Sequence, residues 1–475
     1  MNAVCSEARG AKFEVRGGHM KIKATCISLL ILFVGGVFAQ TDSVQGDIIK
    51  DFRKLGSNYY AYPTPEAKYT KVPAGYKPFY LSHYGRHGSR FHQPADHYHD
   101  LYNTLVKADS AGKLTDLGKN LLERAKYLDE YAAPRAGDLT QLGVAQHQGI
   151  AKRMVKNFPE IFKNDAYIEA YASTSVRCVV SMAAFLEELR AQKPKLDIHQ
   201  ESGKYLMSFI SPLDFGKIIG ESNTPAWQKE NEKLYSHVDP TRMMRSIFND
   251  TNYIKKKVNA GDLYSKIYEI GNSLQGSPEI EFSFDDLWTA EDMFERWRAQ
   301  NAWWYSVLGN NPFAKKQGLE NARPLLKNFL DIADKVIAAD TTKADKTTAK
   351  NAPKKTVATL RFGHDTVIFP FAVLLQLENG SQNTGIETAD MENLHNVWRD
   401  YEISPMAANV QFVFYKSSKK GAPILVKVML NEIEQKLPVT CETRDERRET
   451  RDCPAAPYYR WEDVKEFYGK IAAGK

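Results

Sequence analysis

Tyr80-Leu-Ser-His-Tyr-Gly-Arg-His-Gly-Ser-Arg90 decides how the rest of this 475-residue chain is read. The apolar run Pro78-Phe79-Tyr80-Leu81 predicts a buried strand, and Gly85 is where that strand is expected to break into a tight loop. The loop crowds Arg86, His87 and Arg90 together. Gly85 and Gly88 let backbone come close to a ligand, and guanidinium forks match the oxygens of a phosphate. Two arginines around a histidine are unfavourable until an anion neutralises them. The expectation is a phosphoryl-transfer pocket with His87 as nucleophile; the plain alternative is a basic surface turn.

Two later segments share the layout of strand, polar turn and helix. Ala166-Tyr-Ile-Glu-Ala-Tyr-Ala172 reads as a strand, and Ser173-Thr-Ser-Val-Arg177 turns into a helix with Val180, Ala183, Phe185, Leu186 and Leu189 as its apolar positions. A helix N-terminus suits an anion, whereas a cation such as Arg177 is disfavoured there unless an anion or a carboxylate partners it. Val357 to Phe362 is again a buried strand, ended by Gly363, with His364 and Asp365 in the turn before an apolar helix from Val367 to Leu377. A His-Asp pair at a helix start is structural when taken alone. In open α/β sheets, however, ligands bind at the carboxyl ends of strands, so three such junctions are expected to share one crevice.

The remaining chain frames these junctions. Residues 41–77 read as irregular. Helices are expected near Asp96–Ala111, around Leu121 to Leu128, and over Gln141–Lys156, the last burying Leu142, Ala145, Gly149 and Met154. Residues 191–354 are rich in Lys, Asn, Trp and Tyr with helical spacing, and the aromatics at 294, 297, 303 and 304 point to a packed helical core. Residues 338–355 read as a solvated linker. Val410–Tyr415 and Ile424–Leu430 form an expected hairpin. His92, His97 and His99 lie on a loop-like aromatic stretch, whose spacing reads as structural or surface rather than metal-binding.

Composition is that of an ordinary globular protein, 43% apolar and 26% charged. The net charge is +6. Residues 1–39 hold five basic against two acidic residues, so half of that charge sits there and the balance is no nucleic-acid footprint. Lys21 and Lys23 precede an apolar run from Cys26 to Phe38, and Val37-Phe38-Ala39 has small residues at the spacing for cleavage before Gln40. Export is therefore expected, periplasmic or secreted; an uncleaved anchor is the alternative. Cys441 and Cys453 flank a charged loop and either form a local disulfide or stay free, and Cys178 is left over.

The motifs together resemble the histidine acid phosphatase family, branch two of the histidine phosphatases. The resemblance rests on Arg86-His87-Gly88-Ser89-Arg90, Ser173-Thr174 with Arg177, His364-Asp365, Leu139-Thr-Gln-Leu-Gly143, Ala408-Asn-Val-Gln-Phe412 and Leu425-Val-Lys-Val-Met-Leu-Asn431. It is most similar to bacterial relatives of the multiple inositol polyphosphate phosphatases, which dephosphorylate phytate. Two departures are visible. Many family members carry proline where this chain has His92, and animal enzymes often carry His-Ala-Glu where this chain has His364-Asp365-Thr366.

The resemblance implies an α/β three-layer sandwich. A central, mostly parallel sheet is flanked by helices, with residues 40–190 and 355–475 as the core and 191–354 as a mainly helical cap. It implies a phosphomonoesterase in which His87 is the nucleophile, Asp365 the proton donor, and Arg86, Arg90, Arg177 and His364 the phosphate ligands. No metal or other cofactor is implied. The expected partner is a small phosphorylated substrate, either an inositol polyphosphate or, alternatively, a range of sugar phosphates and other monoesters. No nucleic acid and no stable membrane partner are expected, and a monomer is the expected state.

Overall fold

In β1 (Tyr76–Arg86) successive side chains point to opposite faces of the sheet. Tyr80 and Tyr84 join one apolar cluster and Leu81 joins the other. Every residue from Pro78 to Arg86 is buried, which identifies β1 as a central strand. The computed structural model describes residues 43–66, 68–341, 354–442 and 452–474. The expected export signal at 1–39, most of the expected linker and the loop inside the Cys441–Cys453 pair lie outside the described residues.

A helix α1 (Ser43–Lys50) and a 3-10 segment (Phe52–Tyr59) precede β1, in a stretch expected to be irregular. After β1 come α2 (Asp96–Ser110), α3 (Asp116–Tyr131), α4 (Gln141–Asn157), β2 (Tyr167–Ala172), α5 (Val176–Gln192) and β3 (Asp197–Ser202). A helical run follows: α6 (Met207–Ile210), α7 (Phe215–Ser222), α8 (Pro225–Tyr235), α9 (Thr241–Ile247), α10 (Thr251–Lys257), α11 (Ala260–Ser273), α12 (Ala290–Leu308) and α13 (Gln317–Thr341). The chain then returns to the sheet through β4 (Thr356–Gly363) and α14 (Asp365–Leu375). A two-residue hairpin, β5 (Glu378–Asn379) and β6 (Gln382–Asn383), leads to α15 (Asp400–Ile403). It finishes with β7 (Asn409–Ser417), β8 (Leu425–Leu430), β9 (Ile433–Glu434), β10 (Tyr459–Arg460) and α16 (Trp461–Ala472).

The sheet runs β10-β8-β7-β1-β4-β2-β3, with β9 paired to β8. β1, β4, β2 and β3 are parallel, and the β7–β8 hairpin extends β1 antiparallel. One face carries Leu81, Ile168, Leu360, Phe362 and Val413 against α4 and α5. The other carries Tyr84, Phe412, Phe414 and Val428 against α13, α14 and α16. This is the expected α/β sandwich.

Several local expectations change. β1 does not break at Gly85 but runs on to Arg86, pairing Gly85 with Phe362 and Arg86 with Gly363. α4 buries Gly143, Gln146, His147, Ile150, Ala151, Met154 and Val155 rather than the Leu142, Ala145 and Gly149 face. In α5, Val180 is exposed and Ser181 and Met182 are buried in its stead. The packing also ignores the expected domain boundaries. β3 lies beyond residue 191 yet pairs with β2. α2 and α3 pack with α9 and α11 in a separate helical lobe, whereas α13 packs on the sheet. Apolar stripes on these helices, not their order in the chain, decide which layer they join. Cys441 and Cys453 are disulfide-bonded and Cys178 is free and buried. Among the described residues no helix is long and apolar enough to cross a membrane.

Candidate active site

Three adjacent parallel strands end side by side, and each delivers part of one site. Arg86 closes β1 opposite Gly363 of β4, and Ala172 of β2 sits opposite Phe362. His87, His364 and Ser173 are therefore the first residues past neighbouring strand ends. Backbone bonds lock the junction: the His87 N–H donates to Gly363 O at 3.0 Å, Ser173 N–H to Phe362 O at 2.9 Å, and Arg86 N–H to Ala408 O at 2.7 Å.

The start of α4 braces the loop after His87. Thr140 caps that helix through Gly143 N–H, and its hydroxyl reaches Gly276 O and Ser89 O. Gln146 bonds both the backbone N–H and the hydroxyl of Ser89. A Cβ on Gly88 would stand 2.4 Å from Gly143 O, so the loop and helix can meet this closely only because glycine occupies the position.

His87 is 2% exposed, and its Nδ1 lies 2.9 Å from Gly88 O. A carbonyl only accepts, so this geometry assigns the proton to Nδ1 and leaves a lone pair on Nε2. Burial, followed by Arg86, Arg177, Arg90 and His364, holds the imidazole pKa well below its ordinary value. His364, its ring centroid 5.8 Å away, is pushed down to about 4 by burial and Arg177; its Nε2 is 3.0 Å from Ser173 Oγ.

The three arginines keep donors in reserve. Arg90 Nε and Arg177 Nε are buried with no hydrogen-bond acceptor among the described residues, as is Arg86 Nε. Arg86 Nη1 donates to Asn58 O and Ser404 O, and Nη2 lies 2.8 Å from Asp365 Oδ2. Asp365 also accepts from Asn58 Nδ2 at 2.9 Å. Burial raises its pKa, but Arg86, Arg90 and His364 outweigh burial, and the net shift is downward. Unpaired buried guanidinium donors are costly unless an anion takes them up.

His87, Arg90, Arg177, His364 and Asp365 line one cleft of about 800 Å³. Arg86, fully buried, lies beneath it. The site residues expected from sequence thus come together. Sequence reasoning missed Asn58, Tyr59 and Glu269, which join the same wall or its supports. None belongs to a chemical motif: Asn58 and Tyr59 lie in a stretch read as irregular and Glu269 in one read only as helical, so no local signal marks them. Trp304, expected only as core, also lines the cleft.

A family model, the Histidine phosphatase superfamily (branch 2), matches residues 85–431. The chain belongs to this family, and it is a phosphatase. Among solved structures it resembles the multiple inositol polyphosphate phosphatase of Bifidobacterium longum in complex with inositol hexasulfate. That match has 17% identity and a TM-score of 0.67, over 87% of this chain and 97% of that one. The phosphate complex of the same protein gives 18% and 0.67, over 88% and 98%. The phytase from D. castellii gives 14% and 0.58, over 89% and 86%. At these identities the likeness concerns the fold. No curated protein sequence matches.

Proposed function

We propose that this protein hydrolyses phosphomonoesters, inositol polyphosphates foremost, through a phosphohistidine on His87. The observation that carries the reading is a lone pair on His87 Nε2 amid unpaired N–H donors of Arg86, Arg90 and Arg177. Nε2 attacks phosphorus while the ester P–O bond breaks, and the arginines and His364 take the equatorial oxygens, where the charge resides. Asp365 gives a proton to the leaving oxygen. Asp365 is ionised in the empty site because Arg86 and Arg90 favour the anion. A bound phosphate takes up those cations and adds negative charge, so the carboxyl pKa rises and Asp365 acquires the proton it donates. Water then attacks the phosphohistidine and phosphate leaves.

The inositol polyphosphate reading is supported by the fold shared with the enzymes above. A second reading, a broad acid phosphatase, is favoured by the cleft wall. Its described lining includes Asp214, Glu269, Phe215, Trp303 and Trp304 but no lysine. Phosphate release from phytate against p-nitrophenyl and alkyl phosphates decides between them: an untouched phytate beside rapid aryl turnover leaves only the second. His87→Ala is expected to abolish turnover of every ester. Asp365→Asn is expected to slow alkyl esters far more than p-nitrophenyl phosphate, whose leaving group needs no proton.

Export is part of the proposal. The basic and apolar pattern before Gln40 and the Cys441–Cys453 bridge both support an oxidising compartment. N-terminal sequencing of protein recovered outside the cytoplasm is expected to begin at Gln40; an intact residue 1–39 segment would refute cleavage.

A further inference from the structure

Just beyond the catalytic loop, three side chains from different elements turn ligand atoms toward one point. They are His92, from the loop after Arg90; His97, in the first turn of α2; and Glu269, from α11. His92 Nε2 lies 2.8 Å from His97 Nδ1, Glu269 Oε2 lies 3.4 Å from His97 Nδ1, and it lies 3.8 Å from His92 Nε2. The mean of these three edges is about 3.3 Å. An ion held tetrahedrally at ~2.05 Å from nitrogen or oxygen needs ligand edges of about 3.3 Å.

We propose that His92, His97 and Glu269 form a binding site for a divalent transition-metal ion of the zinc type on the wall of the cleft. Two imidazole nitrogens and a carboxylate suit such an ion better than calcium or magnesium, which take oxygen. The supports of a metal site are also in place. His92 Nδ1 is 2.8 Å from Tyr59 Oη, so the imidazole keeps its proton on Nδ1, toward the phenol, when Nε2 faces the ion. His92 is 1% exposed and thus fixed, whereas the side chains of His97 and Glu269 are 26% and 33% exposed and have freedom to close on the ion. His92 and Glu269 line the cleft, which gives the ion an approach path and leaves its fourth position to water. Without metal the same groups satisfy one another: one imidazole donates to the other, and Glu269 accepts.

Arg90 acts on His92 and Arg296 on Glu269, so the ion binds against two cations. That opposition weakens the affinity relative to closed structural zinc sites. Sequence spacing alone pointed away from metal, because the third ligand lies far from the histidines, on α11. His99, the other histidine of that stretch, pairs with Asp129 and takes no part. The inference does not depend on which phosphate ester is hydrolysed.

Calorimetric titration of the full-length protein with Zn²⁺ alone is expected to show one ion per chain. His97→Ala and Glu269→Gln each weaken it by at least about tenfold, and Tyr59→Phe by about tenfold through the lost hydrogen bond to His92 Nδ1. His87→Ala leaves the affinity unchanged, which separates this site from the catalytic imidazoles. Co²⁺ as a spectroscopic probe is expected to give four-coordinate visible bands that vanish in His97→Ala. Glu269→Gln, close in shape to the native residue, decides the matter if His97→Ala fails to fold. No bound ion, or an ion retained by both ligand variants, overturns the proposal.

Discussion

Asn58 donates from Nδ2 to the Asp365 carboxylate and its backbone carbonyl accepts from Arg86, so one residue outside every recognisable motif holds two groups of the proposed site. Its side chain favours the ionised form of Asp365. Asn58→Ala therefore raises the Asp365 pKa, and the alkaline limb of the kcat profile, where the donor loses its proton, is expected to move to higher pH. An unmoved limb would count against Asp365 as the donor. His87 carries the opposite sign. Burial, three arginines and His364 depress its pKa, so the nitrogen proposed to attack stays neutral as pH falls through the ordinary histidine range. The kcat/KM profile is expected to show no acid limb near pH 6.5, the range where an unperturbed histidine would lose its lone pair. These residues differ in legibility: His87 stands among dense, chemically unusual neighbours, whereas Asn58 is one amide in a 3-10 segment that the sequence reads as irregular.

Among the elements, strands were legible where composition was extreme and illegible where it was not. β2 and β4, alternating or apolar, read nearly to the residue, whereas β1 reads only in its apolar middle and runs on through the expected break at Gly85. β3, Asp197-Ile-His-Gln-Glu-Ser202, is a polar edge strand with no buried residue, and nothing apolar announces it. α4 misled for a related reason: its buried face carries Gln146, which holds Ser89, and His147, so a search for apolar periodicity turns the helix the wrong way. The contact that this helix makes with the catalytic loop is testable. Gly88→Ala forces a methyl group to 2.4 Å from Gly143 O, and backbone cannot yield as a side-chain tip does. A displacement of His87 on the order of 1 Å is expected to cost about 100-fold in kcat/KM. The same drop seen in His87-independent binding of phosphate would show instead that the whole site had collapsed.

For the whole molecule, two buried histidines outside the cleft add to the site histidines in limiting its tolerance of acid. His83 and His147 lie in the layer between the sheet and α4 and α5, and burial pushes both down to about 3. In the unfolded chain each has a pKa near 6.5. The unfolded state therefore takes up protons first, and stability falls as pH drops from about 6.5 toward 3. At pH 5 each group costs about 2 kcal/mol on this reckoning. Melting temperatures measured from pH 7 to pH 4 are expected to fall steeply, and less steeply in His147→Leu. A flat curve would mean that these imidazoles are already charged in the folded protein.

The sheet order has one further consequence, for the sequence of events by which the molecule is made. β4 lies between β1 and β2, yet it is synthesised more than 180 residues after β2 begins. Until residue 363 has emerged, the two earlier strands have no common neighbour in the sheet, and only α4 and the Gly88 N–H to Ser181 Oγ bond relate the loops bearing His87 and Arg177. The central strand acts as a late keystone. It also brings His364 and Asp365 with it, so an unfinished chain has neither a closed sheet nor a working acid. The proposed activity therefore waits on β4 and the turn after it, and this long-range pairing is the step expected to limit folding.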